Sequence, residues 1–169
     1  MKKKLVLILV VVMVLAPLVA SSSFSFDKVL PQETTGWSAG LNLGWPTNAI
    51  IGQYQDADRA YYGTLGMNFG TASKSFSGSV GVNQNLGSFD INEQTFKYGV
   101  GAEVPVFIAK DYISVSALGT GTVDYTFENT PITIYSRVGA GVEMAFTPSF
   151  SAGFDYISSI GVMYNFENK

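Results

Sequence analysis

Residues 150–166 alternate between two kinds of side chain without a slip. Phe150, Ala152, Phe154, Tyr156, Ser158, Ile160, Val162, Tyr164 and Phe166 share one parity. Ser151, Gly153, Asp155, Ile157, Ser159, Gly161, Met163 and Asn165 share the other. Such a period of two specifies a strand with unlike faces. Strands in soluble proteins usually run about five or six residues. A strand this long, apolar on one face and ending at an aromatic, leaves few architectures open.

The same alternation recurs upstream. In 132–146, Ile132, Ile134, Val138, Ala140, Val142, Met144 and Phe146 oppose Thr133, Tyr135, Arg137, Gly139, Gly141 and Glu143. In 113–127, Ile113, Val115, Ala117, Val123, Tyr125 and Phe127 oppose Ser114, Ser116, Thr120, Thr122 and Asp124. In 96–104, Phe96, Tyr98, Val100, Ala102 and Val104 oppose Lys97, Gly99, Gly101 and Glu103. Looser patterns mark strands at 37–45, 61–69 and 74–85, and 49–54 is the least patterned. Turn residues separate them: Trp45-Pro46-Thr47-Asn48, Asp56-Ala57-Asp58, Glu128-Asn129-Thr130-Pro131 and Thr147-Pro148-Ser149. The expectation is about eight antiparallel strands in an all-β, up-and-down transmembrane barrel.

Charge placement favours a membrane barrel over a soluble barrel or sandwich. Lys97, Glu103, Asp124, Arg137, Glu143 and Asp155 all fall on the small, polar face. A soluble barrel directs charge outward, whereas a barrel in hydrocarbon inverts that order. Aromatic residues also gather at strand ends. With the N-terminus periplasmic, Trp37, Tyr61, Phe96, Tyr98, Tyr125, Phe127, Tyr164 and Phe166 form an inner girdle. Trp45, Phe69, Phe76, Phe146, Phe150 and Phe154 form an outer one. The ten steps from Phe154 to Tyr164 cover roughly 33 Å. Tilted by about 40°, they span roughly 25 Å, the height of the apolar band between girdles.

The N-terminus supplies a route to such a membrane. Lys2, Lys3 and Lys4 precede an unbroken apolar run from Leu5 to Leu15; Pro17 and the small residues Ala20 to Ser23 follow. This is the layout of a cleavable Sec-type signal peptide over 1–21, rather than a retained anchor, for which the run is short. The remaining organisation is a short periplasmic segment at 22–35, the barrel at 36–166 and a tail at 167–169. The chain has no cysteine, so neither lipoprotein anchoring nor a disulfide framework is expected. The leader takes three of the 10 basic residues with it while the chain carries 13 acidic ones. That balance, without a polybasic stretch, argues against a nucleic-acid partner.

The near-terminal Phe166 resembles the C-terminal signal by which outer-membrane barrels are recognised for insertion, although Glu167-Asn168-Lys169 follow it. More widely, "GLNLGWPTNAIIGQY", "YYGTLGMNFG" and "GVMYNF" resemble the small eight-stranded bacterial outer-membrane barrel families, over roughly 36–166. The resemblance implies a Gram-negative cell envelope, outer-membrane lipids as surroundings, the barrel-assembly machinery during insertion and a monomer. It implies no activity.

Several chemistries lack their residues. No histidine is present, which removes the usual general base and the Ser-His-Asp arrangement. Outer-membrane lipases, deacylases, palmitoyltransferases and omptin-like proteases rely on that residue. The acidic pairs in "DAD" (56–58) and "DINE" (90–93) lack a calcium-loop pattern and read as solvated turns. Glycine pairs such as Gly99/Gly101 and Gly139/Gly141 precede no helix, so no phosphate loop is expected. No enzyme activity, cofactor or metal is expected. The one constellation is the lumen cluster of Lys97, Glu103, Asp124, Arg137, Glu143 and Asp155, with Arg137 expected to meet Asp155. It reads first as a structural network in a lumen just wide enough for side chains, and second as a selectivity or gating element. Three functions follow in order: a structural or surface-interaction barrel, a narrow porin-like pore, and a soluble periplasmic ligand-binding barrel.

Overall fold

A computed structural model describes residues 35–45, 48–68, 75–92 and 94–166. The expected leader, nearly all of segment 22–35, Phe69 and the tail lie outside the described residues. Eight strands follow in chain order: β1 (Gly36–Trp45), β2 (Ala49–Asp56), β3 (Arg59–Asn68), β4 (Ser75–Ile91), β5 (Gln94–Ala109), β6 (Tyr112–Thr126), β7 (Ile132–Ala145) and β8 (Ser151–Phe166). Each pairs antiparallel with the next, and β1 closes on β8 from Trp37↔Phe166 to Trp45↔Ser158. The result is one closed up-and-down barrel. Closure leaves no sheet edge along the wall. The end bearing the start of β1 and the close of β8 is called proximal here; the other is distal.

The strands carry the alternation the sequence displays. Large apolar side chains point out and remain exposed: Val80 by 67%, Ile160 by 65% and Phe154 by 75%. Ser38, Asn83, Glu103, Ser114, Ser116, Thr120, Thr133, Arg137 and Ser159 are buried in the lumen. Among the described residues, every charged side chain away from the turns faces inward. The lumen is not purely polar, however. Ile51, Leu118, Ile157 and Met163 are also buried in it; Ile157 and Met163 hold the parity of the polar face in the sequence.

Several strands run beyond their sequence patterns. The stretch 86–95 is no long connection. β4 runs on to Ile91 and meets β5 through a tight turn in which Asn92 adopts a φ of 50°. A bulge lies between Asn85 and Gly87, so Asn85 pairs with Gly99 but Gly87 with Tyr98. The extra residue, Leu86, switches parity and turns Phe89 to the same side as Phe96. Pro105 lies within β5. It pairs with Ser79 of β4, and the β5–β6 ladder has a gap over Val104 and Pro105, so the missing N–H falls where no rung is made. Finally, β2 extends to Asp56 and β3 starts at Arg59, leaving Ala57 and Asp58 as the turn.

Aromatic rings meet along both barrel ends. Proximally, Phe96 lies 5.6 Å from Phe89 and 5.1 Å from Tyr125, which in turn lies 5.0 Å from Phe127. Trp37 contacts Tyr54 at 5.0 Å, and Tyr164 contacts Phe166 at 5.4 Å. Distally, Phe146 contacts Phe150 at 6.0 Å, and Phe154 contacts Tyr156 at 6.5 Å. Trp45, Tyr61 and Phe76 are likewise exposed.

Candidate functional site

The six charged lumen residues do not form one cluster. The register divides them into three levels. At the centre, Arg137 of β7 and Glu103 of β5 form an ion pair at 3.6 Å, with side chains only 4% and 6% exposed. Tyr62 of β3 donates its hydroxyl to Glu103 Oε2 at 3.0 Å. The Arg137 guanidinium lies 3.7 Å from the Tyr62 ring centroid and 5.3 Å from that of Tyr135, placing the cation against two aromatic faces. Tyr135 donates to Asn42 Oδ1 on β1 at 2.8 Å. Side chains from β1, β3, β5 and β7 thus reach across the lumen and form a septum.

Two glycines make the septum possible. Gly81 sits directly opposite Tyr62 on β4, and Gly161 directly opposite Tyr135 on β8. A Cβ on either would collide with the tyrosine ring lying across it. Each ring therefore folds flat over its neighbour, and the guanidinium fits against both. Ile51 and Met163 join the two tyrosines in a small apolar cluster. Burying a charge pair in such a place is costly unless further hydrogen bonds accompany it; the Tyr62 hydroxyl supplies one.

On the distal side, acceptors and donors are matched locally. Tyr112 donates to Glu143 at 2.7 Å, and Ser116 donates to Asp155 Oδ2 at 2.5 Å. Asp155 Oδ1 accepts the backbone N–H of Tyr156 at 2.8 Å. The expected Arg137–Asp155 contact does not form. Arg137 stands opposite Ser159, and Asp155 opposite Gly141. Four residues of β8 separate the two levels, about 13 Å of strand.

On the proximal side, the barrel is not filled. A cavity of about 800 Å³ extends from the septum towards the start of β1 and the end of β8. The expectation of a lumen packed by side chains fails in this half. Lys97 and Asp124 face each other across the β5–β6 ladder in its wall. Thr126 and Thr133 are hydrogen-bonded at 2.8 Å, and Asn165 donates to Thr133 Oγ1 at 2.9 Å. Among the residues lining the cavity, Arg137 Nε, Asn83 Oδ1 and Thr122 Oγ1 are buried atoms without a hydrogen-bond partner; Thr120 Oγ1, outside the lining, is another.

No protein-family model matches this chain, and no curated protein matches it significantly. The residues alone therefore carry the functional reading. Tyr62, Asn42, Asn83 and Gly81 had escaped the sequence-based site. Tyr62 had a signal, since it holds the parity opposite the outward Tyr61, but nothing local tells that its partner lies 41 residues away. Among the described residues, no group of three or more acidic side chains is placed to hold a metal ion.

Proposed function

We propose that the chain is an integral outer-membrane β-barrel, exported by a Sec-type leader and inserted as a monomer by the barrel-assembly machinery. Its role is structural or interactive at the cell surface, without catalysis. One observation carries this reading: the outer wall of a closed barrel is apolar between two sets of aromatic residues, while Glu103 and Arg137 are buried inside. Water disfavours such an exterior, because exposed apolar area on this scale costs about 25 cal/mol per Å². Lipid favours it, since every backbone polar group of a closed barrel is paired within the wall. The absence of histidine and cysteine supports a non-enzymatic role.

The test is electrophoretic mobility with and without boiling, after folding into detergent. The expected outcome is a β-rich species that needs detergent and migrates differently when unboiled. A monodisperse chain that folds in water without detergent sinks the proposal and leaves the soluble ligand-binding barrel. The narrow-pore reading has the proximal cavity in its favour and the septum against it. Planar-bilayer recordings separate the two: a silent wild type supports the structural role. A steady conductance that changes on Arg137→Ala supports the pore.

A further inference from the structure

We infer that the proximal cavity is a binding well for a small, neutral, polyhydroxylated solute, a mono- or disaccharide unit. The volume, about 800 Å³, lies within the roughly 300–1,000 Å³ of small-molecule sites. Its lining includes Arg137, Asn83 and Thr122, and each of these carries a buried polar atom without a hydrogen-bond partner. Arg137 Nε can only donate, Asn83 Oδ1 can only accept, and the Thr122 hydroxyl can do either. Arg137 and Asn83 are 3% and 7% exposed. A buried polar atom left unpaired is costly, so the lining is built to receive a group that accepts and donates together.

The walls point the same way. Six amide side chains line the well: Gln53, Gln55, Asn83, Asn85 and Asn165 from three strands, and Asn129 from the turn between β6 and β7. Each amide offers donors and an acceptor side by side, which matches vicinal hydroxyls. The charges, in contrast, are balanced within the protein: Arg137 is paired with Glu103, and Lys97 stands opposite Asp124. An ionic ligand must disrupt one of these pairings, whereas a neutral one need not. This inference stands on the lumen and is independent of whether the outer wall meets lipid.

The test is an NMR titration of the folded full chain, reading the Arg137 Nε–H and Asn83 side-chain amide resonances. The probes are maltose, choline chloride and sodium glutamate. Maltose is expected to shift both resonances saturably, with a Kd on the order of 1 mM or tighter. Thr122→Val, which is isosteric, and Asn83→Leu are each expected to weaken it about tenfold, the loss of one buried hydrogen bond. No saturable shift up to about 100 mM overturns the inference. So does tighter binding of choline or glutamate than of maltose. Unchanged maltose affinity in Thr122→Val overturns it too, even if Asn83→Leu fails to fold.

Discussion

The septum and the well share one lumen, yet they treat buried polar groups in opposite ways. In the septum, Glu103 receives both the Arg137 guanidinium and the Tyr62 hydroxyl, and two tyrosine rings cover the cation. In the well, a few ångströms of strand away, Arg137 Nε, Asn83 Oδ1 and Thr122 Oγ1 have no partner. Arg137 belongs to both. The difference teaches that the septum spends its polar groups on itself and so gives stability and closure. The well pairs some of its groups, such as Asn165 with Thr133, but leaves three buried atoms without a partner. Removing a septum group should cost stability; removing a well group should cost almost none.

The largest effect is expected from Arg137→Ala. It leaves the Glu103 carboxylate buried among apolar and aromatic groups, a situation worth about 3–5 kcal/mol of destabilisation. Urea unfolding of the wild type and variant in the same detergent measures it. A loss below about 1 kcal/mol would mean that water already reaches Glu103 and that the centre is not closed. Replacing both members, as in Glu103→Gln with Arg137→Met, should recover much of the loss, because no unpaired charge remains.

A smaller loss is expected from Tyr62→Phe, which removes the one hydroxyl donated to Glu103 while keeping the ring on the guanidinium. A hydrogen bond to a charged group contributes about 1.5–3 kcal/mol, and the same unfolding measurement reads it. Gly161→Val tests the septum from the other side. Its side chain would occupy the space of the Tyr135 ring, and overpacking of this kind costs about 1–3 kcal/mol. If Gly161→Val is tolerated without loss, the ring of Tyr135 does not need the bed that glycine provides.

The wall of this molecule was readable from sequence, and its interior only partly. β5 to β8 alternate cleanly, because one face lines the lumen and the other forms the outer wall, and their strands emerge with ends shifted by only a few residues. β4 was cut short at residue 85 because Leu86 inserts a bulge; period-two reading loses its parity there. Pro105 is accommodated within β5 because its missing N–H falls at a gap in the β5–β6 ladder, which the sequence does not display. The lumen contacts depend on register and strand stagger, neither of which parity fixes. Arg137 and Asp155 do share the interior, as expected, but one stands opposite Ser159 and the other opposite Gly141. Tyr135 and Asn42, 93 residues apart, meet only because the barrel closes.

The smallest effect, and the sharpest contrast with Tyr62→Phe, is expected from Thr122→Val. Both changes delete one hydroxyl from the lumen and little else. The Tyr62 hydroxyl has a charged acceptor at 3.0 Å, whereas the Thr122 hydroxyl is buried without a partner. Valine keeps the shape of threonine and removes a polar atom that makes no hydrogen bond within the protein. Replacing an unsatisfied buried hydroxyl with an apolar group of the same shape is close to neutral, within about 0.5 kcal/mol, or slightly stabilising. Parallel urea unfolding of the two variants reads the difference directly. A loss from Thr122→Val as large as that from Tyr62→Phe would show that the lining of the well is structural after all. The division of the lumen into a closed half and a receptive half would then fail at that residue.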